Sequence, residues 1–133
     1  MAKLTEGQAI FVHDEPNVGV VAALREDGTP HQTVVWVDWD GTHVLLNLNN
    51  FRSKLEYLQR DPRVSVLVLD RDDPFRWLRL EGKVEEITPE GAHEHIIRQA
   101  GVYVGRDTYP LGEGEQRILV RIALSQVEAH NVE

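Results

Sequence analysis

The chain has 133 residues, which suits one domain with a hydrophobic core of its own. It contains no cysteine, which excludes disulfides, thiol catalysis and cysteine-ligated metal centres. Fourteen Lys and Arg residues against 22 Asp and Glu residues give a net charge of −8, so the chain lacks the basic excess of proteins that bind nucleic acid or anionic membranes. No apolar stretch approaches the roughly 20 residues of a membrane-spanning helix, and the N-terminus lacks the apolar run of a signal peptide. We therefore expect a cytoplasmic protein.

The first half of the chain is predicted to form a short helix or arm followed by three strands. The nearly unbroken apolar run at residues 18–24 is short and rich in β-branched residues, which indicates a strand buried on both faces. Two Asp-Gly pairs then mark hairpin turns, because glycine accepts a positive φ without steric cost. These turns join the first strand to strands at residues 31–39 and 43–48, so we expect a three-stranded antiparallel meander.

The hydrophobic period changes after the third strand. Apolar residues at i, i+4 and i+7, from Phe51 to Leu58, predict a short amphipathic helix over residues 51–60. Either Asn49 or Asn50 is expected to cap this helix.

The second half of the chain is predicted to contain three more strands and a second helix. The strands are expected at residues 64–70, 76–87 and 117–129, and Gly82 in the second of them indicates a bulge or a close backbone approach. The helix is expected over residues 88–100, with a capping Thr and a Pro at its first position. About six strands, mostly antiparallel, with two short inserted helices predict a mainly β, single-domain protein built as a small closed or split barrel.

The start of the predicted 51–60 helix carries Arg52, Ser53 and Lys54. A helix N-terminus has partial positive charge, so two basic side chains in the first turn are unfavourable unless an anion lies between them. Free backbone N–H groups, a hydroxyl and two cations together form a suitable phosphate site. The alternative is that both charges are merely solvated.

Tryptophan placement indicates a surface for a planar ligand. Trp36 lies on the second strand, and Trp77 opens the fifth, where it shares the polar face with Arg79. An indole face suits stacking on a planar ring, whereas core or interface packing is the alternative for each tryptophan. His93 and His95 are two residues apart on the predicted helix and do not share a face, so no metal site is expected.

Four segments follow one another with a characteristic order and spacing: Asp27-Gly28-Thr29-Pro30-His31-Gln32, Arg52-Ser53-Lys54, Asp61-Pro62-Arg63-Val64-Ser65-Val66 and Leu80-Glu81-Gly82-Lys83-Val84. Across residues 18–87 this set resembles the pyridoxamine 5′-phosphate oxidase-like superfamily of FMN-binding split β-barrels. The resemblance implies a homodimer with two flavin-type cofactors in grooves at the interface.

The resemblance also implies positions for the cofactor contacts. Arg52-Ser53-Lys54 falls where the family binds the cofactor phosphate, and Trp77 matches a position that reaches the cofactor from the partner subunit. Residues 32–36 and 47–49 match strand ends that line the isoalloxazine ring. With Arg79 beside Trp77, the expected cofactor-binding residues are Gln32, Thr33, Val34, Val35, Trp36, Asn47, Leu48, Asn49, Arg52, Ser53, Lys54, Trp77 and Arg79. The resemblance identifies no catalytic acid or base.

The chain departs from the true oxidases at two positions. Thr33 and Asp38 stand where the oxidases carry an arginine and a lysine that help to bind the FMN phosphate. The chain also ends without the C-terminal segment that binds pyridoxal phosphate in those enzymes. Oxidation of pyridoxamine phosphate is therefore not expected.

Residues 32–38 and 73–78 are more similar to the branch found in actinobacteria that uses the deazaflavin F420. This similarity implies an F420H2-dependent reductase that transfers a hydride to a small conjugated substrate. An FMN-dependent oxidoreductase of the same fold is the alternative. A flavin- or haem-type binding module without turnover, and a structural barrel with an empty groove, are the non-enzymatic alternatives.

Overall fold

The computed structural model describes all 133 residues and contains six strands and three helices. In chain order these are α1 (Glu6–His13), β1 (Val18–Leu24), β2 (Pro30–Trp39), β3 (Val44–Asn49), α2 (Ser53–Arg60), β4 (Arg63–Leu69), β5 (Trp77–Thr88), α3 (Ala92–Val104) and β6 (Arg117–His130). The longest helix has 13 residues, and no helix is both long and apolar enough to span a membrane. The predicted mainly β class is confirmed, and the N-terminal segment is a helix with a Thr5 capping box.

All neighbouring strands pair antiparallel in the order β1-β2-β3-β6-β5-β4, and β4 pairs again with β1 to close the barrel. The predicted meander of β1, β2 and β3 is confirmed. Five of the six strand pairs are long, whereas β2 and β3 pair only from Val37 to Trp39 against Val44 to Leu46. The barrel is therefore split between β2 and β3 beyond this short ladder.

The interior of the barrel is one cluster of apolar side chains contributed by every strand. Its most completely buried members include Val21, Val37, Leu46, Val66, Leu80 and Val120. The prediction that β1 is buried on both faces is wrong, because burial alternates along it: Val21 and Ala23 are buried, whereas Val18 and Val20 stay partly exposed. The apolar run arises because the outer face of β1 is also apolar, and no layer of this chain covers it completely.

The helix α2 begins two residues later than expected. The side chain of Asn49 accepts a hydrogen bond from the backbone N–H of Phe51 (3.0 Å), which forms a turn before the helix instead of a cap on it. The residue at the cap position is Arg52, whose side chain makes no capping hydrogen bond. Phe51 is consequently 66% exposed and does not join Leu55 and Leu58 in the core.

The helix α3 also differs from its predicted bounds. Thr88 ends β5, and its hydroxyl accepts from the backbone N–H of Glu90 in a turn rather than capping the helix. The helix follows Gly91 and ends at Gly105, and both glycines have positive φ, which disfavours residues with a Cβ. The helix runs through Gly101 because a single glycine weakens a helix without ending it.

The carboxylate of Asp38 on β2 holds α1 and α3 against the barrel. Its side chain is 4% exposed and accepts from His13 Nδ1 (2.7 Å), His95 Nε2 (2.8 Å) and Arg98 Nη2 (2.6 Å). Burial would raise the pKa of Asp38, but the hydrogen bonds from His95, Arg98 and His13 outweigh it and lower the pKa to about 2. The stabilisation from this depressed pKa is present above about pH 4 and is lost as the pH falls towards 2.

The two longest strands, β5 and β6, pair with an irregular register at Gly82. Glu81 pairs with Gln126 and Gly82 pairs with Leu124, so the bulged residue at this point belongs to β6 and not to the strand that carries the glycine. The close backbone approach expected at Gly82 is confirmed. A Cβ on Gly82 would lie 2.0 Å from the backbone oxygen of Ala123, which is far inside van der Waals contact. Only glycine fits at this close approach.

We expect Gly82→Ala to lower the free energy of unfolding by about 1–3 kcal/mol, because the added methyl group must displace backbone. The matched control is Gly101→Ala, at an exposed helical position where the nearest atom to the new Cβ is 3.5 Å away. This control should raise the free energy of unfolding by about 0.5–1 kcal/mol. Urea unfolding followed by circular dichroism measures both, and equal effects would contradict the packing at Gly82.

Candidate functional site

A groove opens where β2 and β3 separate. Continuing their register would pair Trp36 with Asn47 and Val35 with Leu48, but no ladder joins these residues. Instead they form the two sides of a groove of about 200 Å³. Its complete lining is Val34, Val35, Trp36, Asn47, Leu48, Arg52, Lys54, Ile96, Tyr109 and Arg117. The split in the barrel thus places strand, helix and loop residues around one cleft.

Two cations from the start of α2 lie at one end of the groove. Lys54 is 4% exposed, and its Nζ donates to the hydroxyl of Thr33 (2.5 Å), its only hydrogen-bond partner. Neither Lys54 nor Arg52 forms a salt bridge with a carboxylate. Burial, and then repulsion from Arg52, lower the pKa of Lys54 to about 8. A buried ammonium without a counter-charge is unfavourable, and a bound anion at this end of the groove would supply that charge.

The other end of the groove is aromatic. The ring of Trp36 stacks on Tyr103 of α3 at 4.9 Å and 6°, and Tyr109 meets Trp36 edge to face at 6.4 Å. The guanidinium of Arg117 lies over the Tyr109 ring at 5.2 Å. The hydroxyl of Tyr103 donates to the carbonyl of Asn17 (2.7 Å), which fixes the ring behind Trp36. Burial raises the pKa of Tyr103 to about 12, so its hydroxyl stays protonated as a donor.

The structure brings together seven of the residues expected at the cofactor. Those that line the groove are Val34, Val35, Trp36, Asn47, Leu48, Arg52 and Lys54. Thr33 does not line it but supports Lys54 from behind. Asn49 forms the turn before α2, whereas Gln32 and Ser53 are exposed beside the groove lining rather than part of it.

Trp77 and Arg79 lie outside the groove of their own chain. Trp36 pairs across the sheet with Val18, Val18 pairs with Leu69, and Leu69 pairs with Trp77. Trp36 and Trp77 are therefore three strand spacings apart, or about 14 Å. Arg79 lies over the Trp77 ring at 5.0 Å on the outer surface, and Trp77 stacks on His130 at 5.5 Å. Within one chain these two side chains cannot contact a ligand at the Trp36 side of the groove.

Three groove residues are absent from the sequence prediction. Ile96 lies on α3, Tyr109 in the loop before β6, and Arg117 at the first position of β6. The sequence gives one indication of these residues: Arg117 directly follows the glycine-rich segment at residues 105–116. That pattern does not show whether the arginine is buried or exposed. These residues reach the groove only because α3 and the loop before β6 pack over the gap between β2 and β3.

A larger depression of about 900 Å³ lies on the outside of the barrel between β1, β4, β5 and β6. Its charged residues carry both signs, including Arg63, Glu81, Lys83 and Glu85. It contains no buried charge without a partner. The smaller groove is therefore the better candidate site, because only there does the chain leave a buried charge unmatched.

Comparisons with known proteins agree with this architecture. The family model described as pyridoxamine 5′-phosphate oxidase matches residues 5–131. A solved structure described as an F420 reductase is 27% identical, with a TM-score of 0.80 over 94% of this chain and 98% of that chain. A conserved hypothetical protein from Mycobacterium tuberculosis is 28% identical, with a TM-score of 0.70 over 96% and 84% of the two chains. General Stress Protein 26 from Bacillus anthracis shares the fold at 16% identity, with a TM-score of 0.68 over 95% and 93%.

Proposed function

The chain belongs to the pyridoxamine 5′-phosphate oxidase family, and we propose that it is an F420H2-dependent reductase that acts on a small conjugated organic molecule. The observation that carries the proposal is the buried ammonium of Lys54, which has no carboxylate partner and faces the groove beside Arg52. Six of the ten residues that line the groove are apolar or aromatic. This combination suits a planar ring with an anionic tail.

The anionic tail supplies the charge that the basic end of the groove lacks. The backbone N–H groups of the first turn of α2 carry no side-chain cap, and the helix dipole adds partial positive charge there. A phosphodiester at this point would accept from Lys54 and from the guanidinium of Arg52. The hydroxyl of Thr33 orients the ammonium without neutralising it. The residues present therefore fit the phosphate end of a flavin or a deazaflavin.

The remaining residues of the groove fit the ring. Trp36, Val35 and Leu48 provide flat apolar surface, and the separated edges of β2 and β3 are free of ladder hydrogen bonds with each other at this point. When bound, reduced deazaflavin supplies the hydride, as cofactors supply the chemistry in such enzymes. No carboxylate or histidine lines the groove, so the protein's own part is binding, orientation and exclusion of water.

The choice of F420 over FMN rests on the comparison with the solved F420 reductase and on the similarity of residues 32–38 to the F420 branch. The basic pair itself would accept either tail. The relative affinities for F420 and FMN therefore have to be measured to distinguish the two cofactors.

A second copy of the chain completes the site in this proposal. The groove of one chain, about 200 Å³, is smaller than the roughly 300–1,000 Å³ of pockets that enclose drug-sized ligands. Outward-facing apolar residues of β1, β2 and β4 form a continuous patch beside it, which we call the apolar outer band: Val18, Val20, Val34, Leu67 and Leu69. Val34 is 67% exposed. Outward positions of antiparallel sheets are usually polar, so this band indicates a covered surface. A homodimer across it would bring Trp77 of a second copy towards the groove.

Light scattering at micromolar concentration should give the mass of a dimer. Leu67→Glu should give a folded monomer, because the dimer would have to bury an unpaired carboxylate. The matched control is Ile10→Glu, at an apolar residue on α1 that is 45% exposed and lies outside the apolar outer band. A monomeric wild-type protein would contradict the shared groove.

Fluorescence titration with F420, and separately with FMN, tests the cofactor. Arg52→Ala/Lys54→Ala should raise the Kd for F420 about 100-fold, because two charge-assisted hydrogen bonds are lost. Arg25→Ala/Arg60→Ala removes the same net charge from exposed positions away from the groove and should change the Kd less than twofold. Tighter binding of FMN than of F420 would transfer the proposal to the FMN alternative. Binding of neither would contradict it.

The affinity for the anionic tail should also depend on pH. The pKa of Lys54 is about 8 in the free protein, so most of the ammonium loses its proton between pH 7 and pH 9. An anion binds the protonated form, so the Kd should rise about tenfold over this interval. Lys54→Arg keeps its charge throughout and should show a flat profile. Equal pH dependence in both proteins would exclude Lys54 as the anion contact.

A further inference from the structure

Arg117 lies at the aromatic end of the groove and is 7% exposed. Its Nε donates to the side-chain oxygen of Asn47 (2.9 Å), and its Nη2 donates to the backbone oxygen of the same residue (3.0 Å). Its Nη1 donates to Glu115 (2.7 Å). A guanidinium carries five N–H donors, so two of them remain without a protein partner. A buried arginine with unused donors beside a cleft is poorly satisfied until something occupies that cleft.

The charge of Arg117 is already matched, in contrast to that of Lys54. The carboxylate of Glu115 is 14% exposed, and it lies 2.7 Å from Arg117, so it supplies the counter-charge of that guanidinium. The backbone N–H of Gly112, then Arg117, and last the nearby charge of Arg52 lower the pKa of Glu115, so the carboxylate remains ionised. The free donors of Arg117 therefore suit a neutral acceptor, such as a carbonyl oxygen or a ring nitrogen, and not a second anion.

The guanidinium is held in one orientation by Asn47. The side-chain nitrogen of Asn47 donates to the backbone oxygen of Ala92 (2.8 Å) and lies 3.0 Å from His95 Nδ1, while its oxygen accepts from Arg117. His95 Nδ1 must accept this bond, so His95 Nε2 carries the proton that is donated to Asp38 (2.8 Å). A chain of donors thus runs from Arg117 to the buried carboxylate of Asp38. Both polar atoms of the Asn47 side chain have protein partners in this series of hydrogen bonds. Asn47 therefore positions Arg117 and does not contact the ligand through its side chain.

We propose that Arg117 contacts the ligand directly, by donating from its two free N–H groups to a carbonyl oxygen or ring nitrogen on the edge of the cofactor's ring system. The ring of Tyr109 packs against the guanidinium and makes its edge-to-face contact with Trp36, so the donors lie beside the aromatic surface expected to hold the ring. This inference rests on the proposed function. It assigns Arg52 and Lys54, which have no carboxylate partner, to the anionic tail, and assigns Arg117, which is paired with Glu115, to the ring.

The two ends can be separated with two ligands, F420 and a deazaflavin that lacks the phosphodiester tail. Arg117→Lys keeps the positive charge beside Glu115 but loses the fork of donors. It should weaken the binding of both ligands by about tenfold. Arg52→Ala/Lys54→Ala should weaken only the binding of F420. Isothermal titration calorimetry measures both affinities, and thermal unfolding in the same buffer checks that the variants are folded.

A second variant is used if the Arg117→Lys protein does not fold. Glu115→Gln/Arg117→Met removes both charges together and leaves no unpaired carboxylate. It should also weaken the binding of both ligands. Unchanged affinity of the tail-free deazaflavin in the folded variants would overturn the role of Arg117. If Arg52→Ala/Lys54→Ala still weakens the binding of F420 in that case, the proposed function stands and only the role of Arg117 is wrong. If the wild-type protein binds no deazaflavin and no flavin, both fail together.

Discussion

The buried carboxylate of Asp38 is the interaction on which the rest of the architecture depends. It lies on β2 and holds two helices against the barrel, through His13 of α1 and through His95 and Arg98 of α3. Its charge is fully matched, so it stabilises the fold and is not available to a ligand. Because His95 also contacts Asn47, the same carboxylate helps to define the wall of the groove.

Two buried charges in this chain differ in the partners that the fold provides for them. Asp38 and Lys54 are both almost completely buried. Asp38 has three charged or chargeable partners and a lowered pKa that keeps it ionised, whereas Lys54 has one neutral partner and a pKa lowered towards neutrality. A buried ion without a counter-ion costs several kcal/mol unless a ligand supplies one. The fold tolerates that cost at one place only, at the uncapped start of α2, where the barrel is split.

Local patterns predict most of the fold, because strand alternation and Asp-Gly turns act over few residues. All six strands lie within about two residues of their predicted bounds. The basic pair of the groove was also predictable, since Arg52 and Lys54 oppose a helix dipole within one turn. Arg117 and Tyr109 were not, because their place in the groove depends on contacts with residues 60 or more positions away, such as Asn47. The predicted first residues of α2 and α3 were wrong because the side chains of Asn49 and Thr88 form hydrogen bonds in turns and do not cap the helices.

A crystal structure of the protein with F420 bound would show whether the anionic tail pairs with Lys54. We expect a dimer with the phosphodiester within hydrogen-bond distance of Lys54 Nζ and of the Arg52 guanidinium. We also expect the ring to lie in the split between β2 and β3, against Trp36. A ligand bound in the large depression on the outside of the barrel, or a phosphodiester that leaves Lys54 without a counter-charge, would contradict the proposed site.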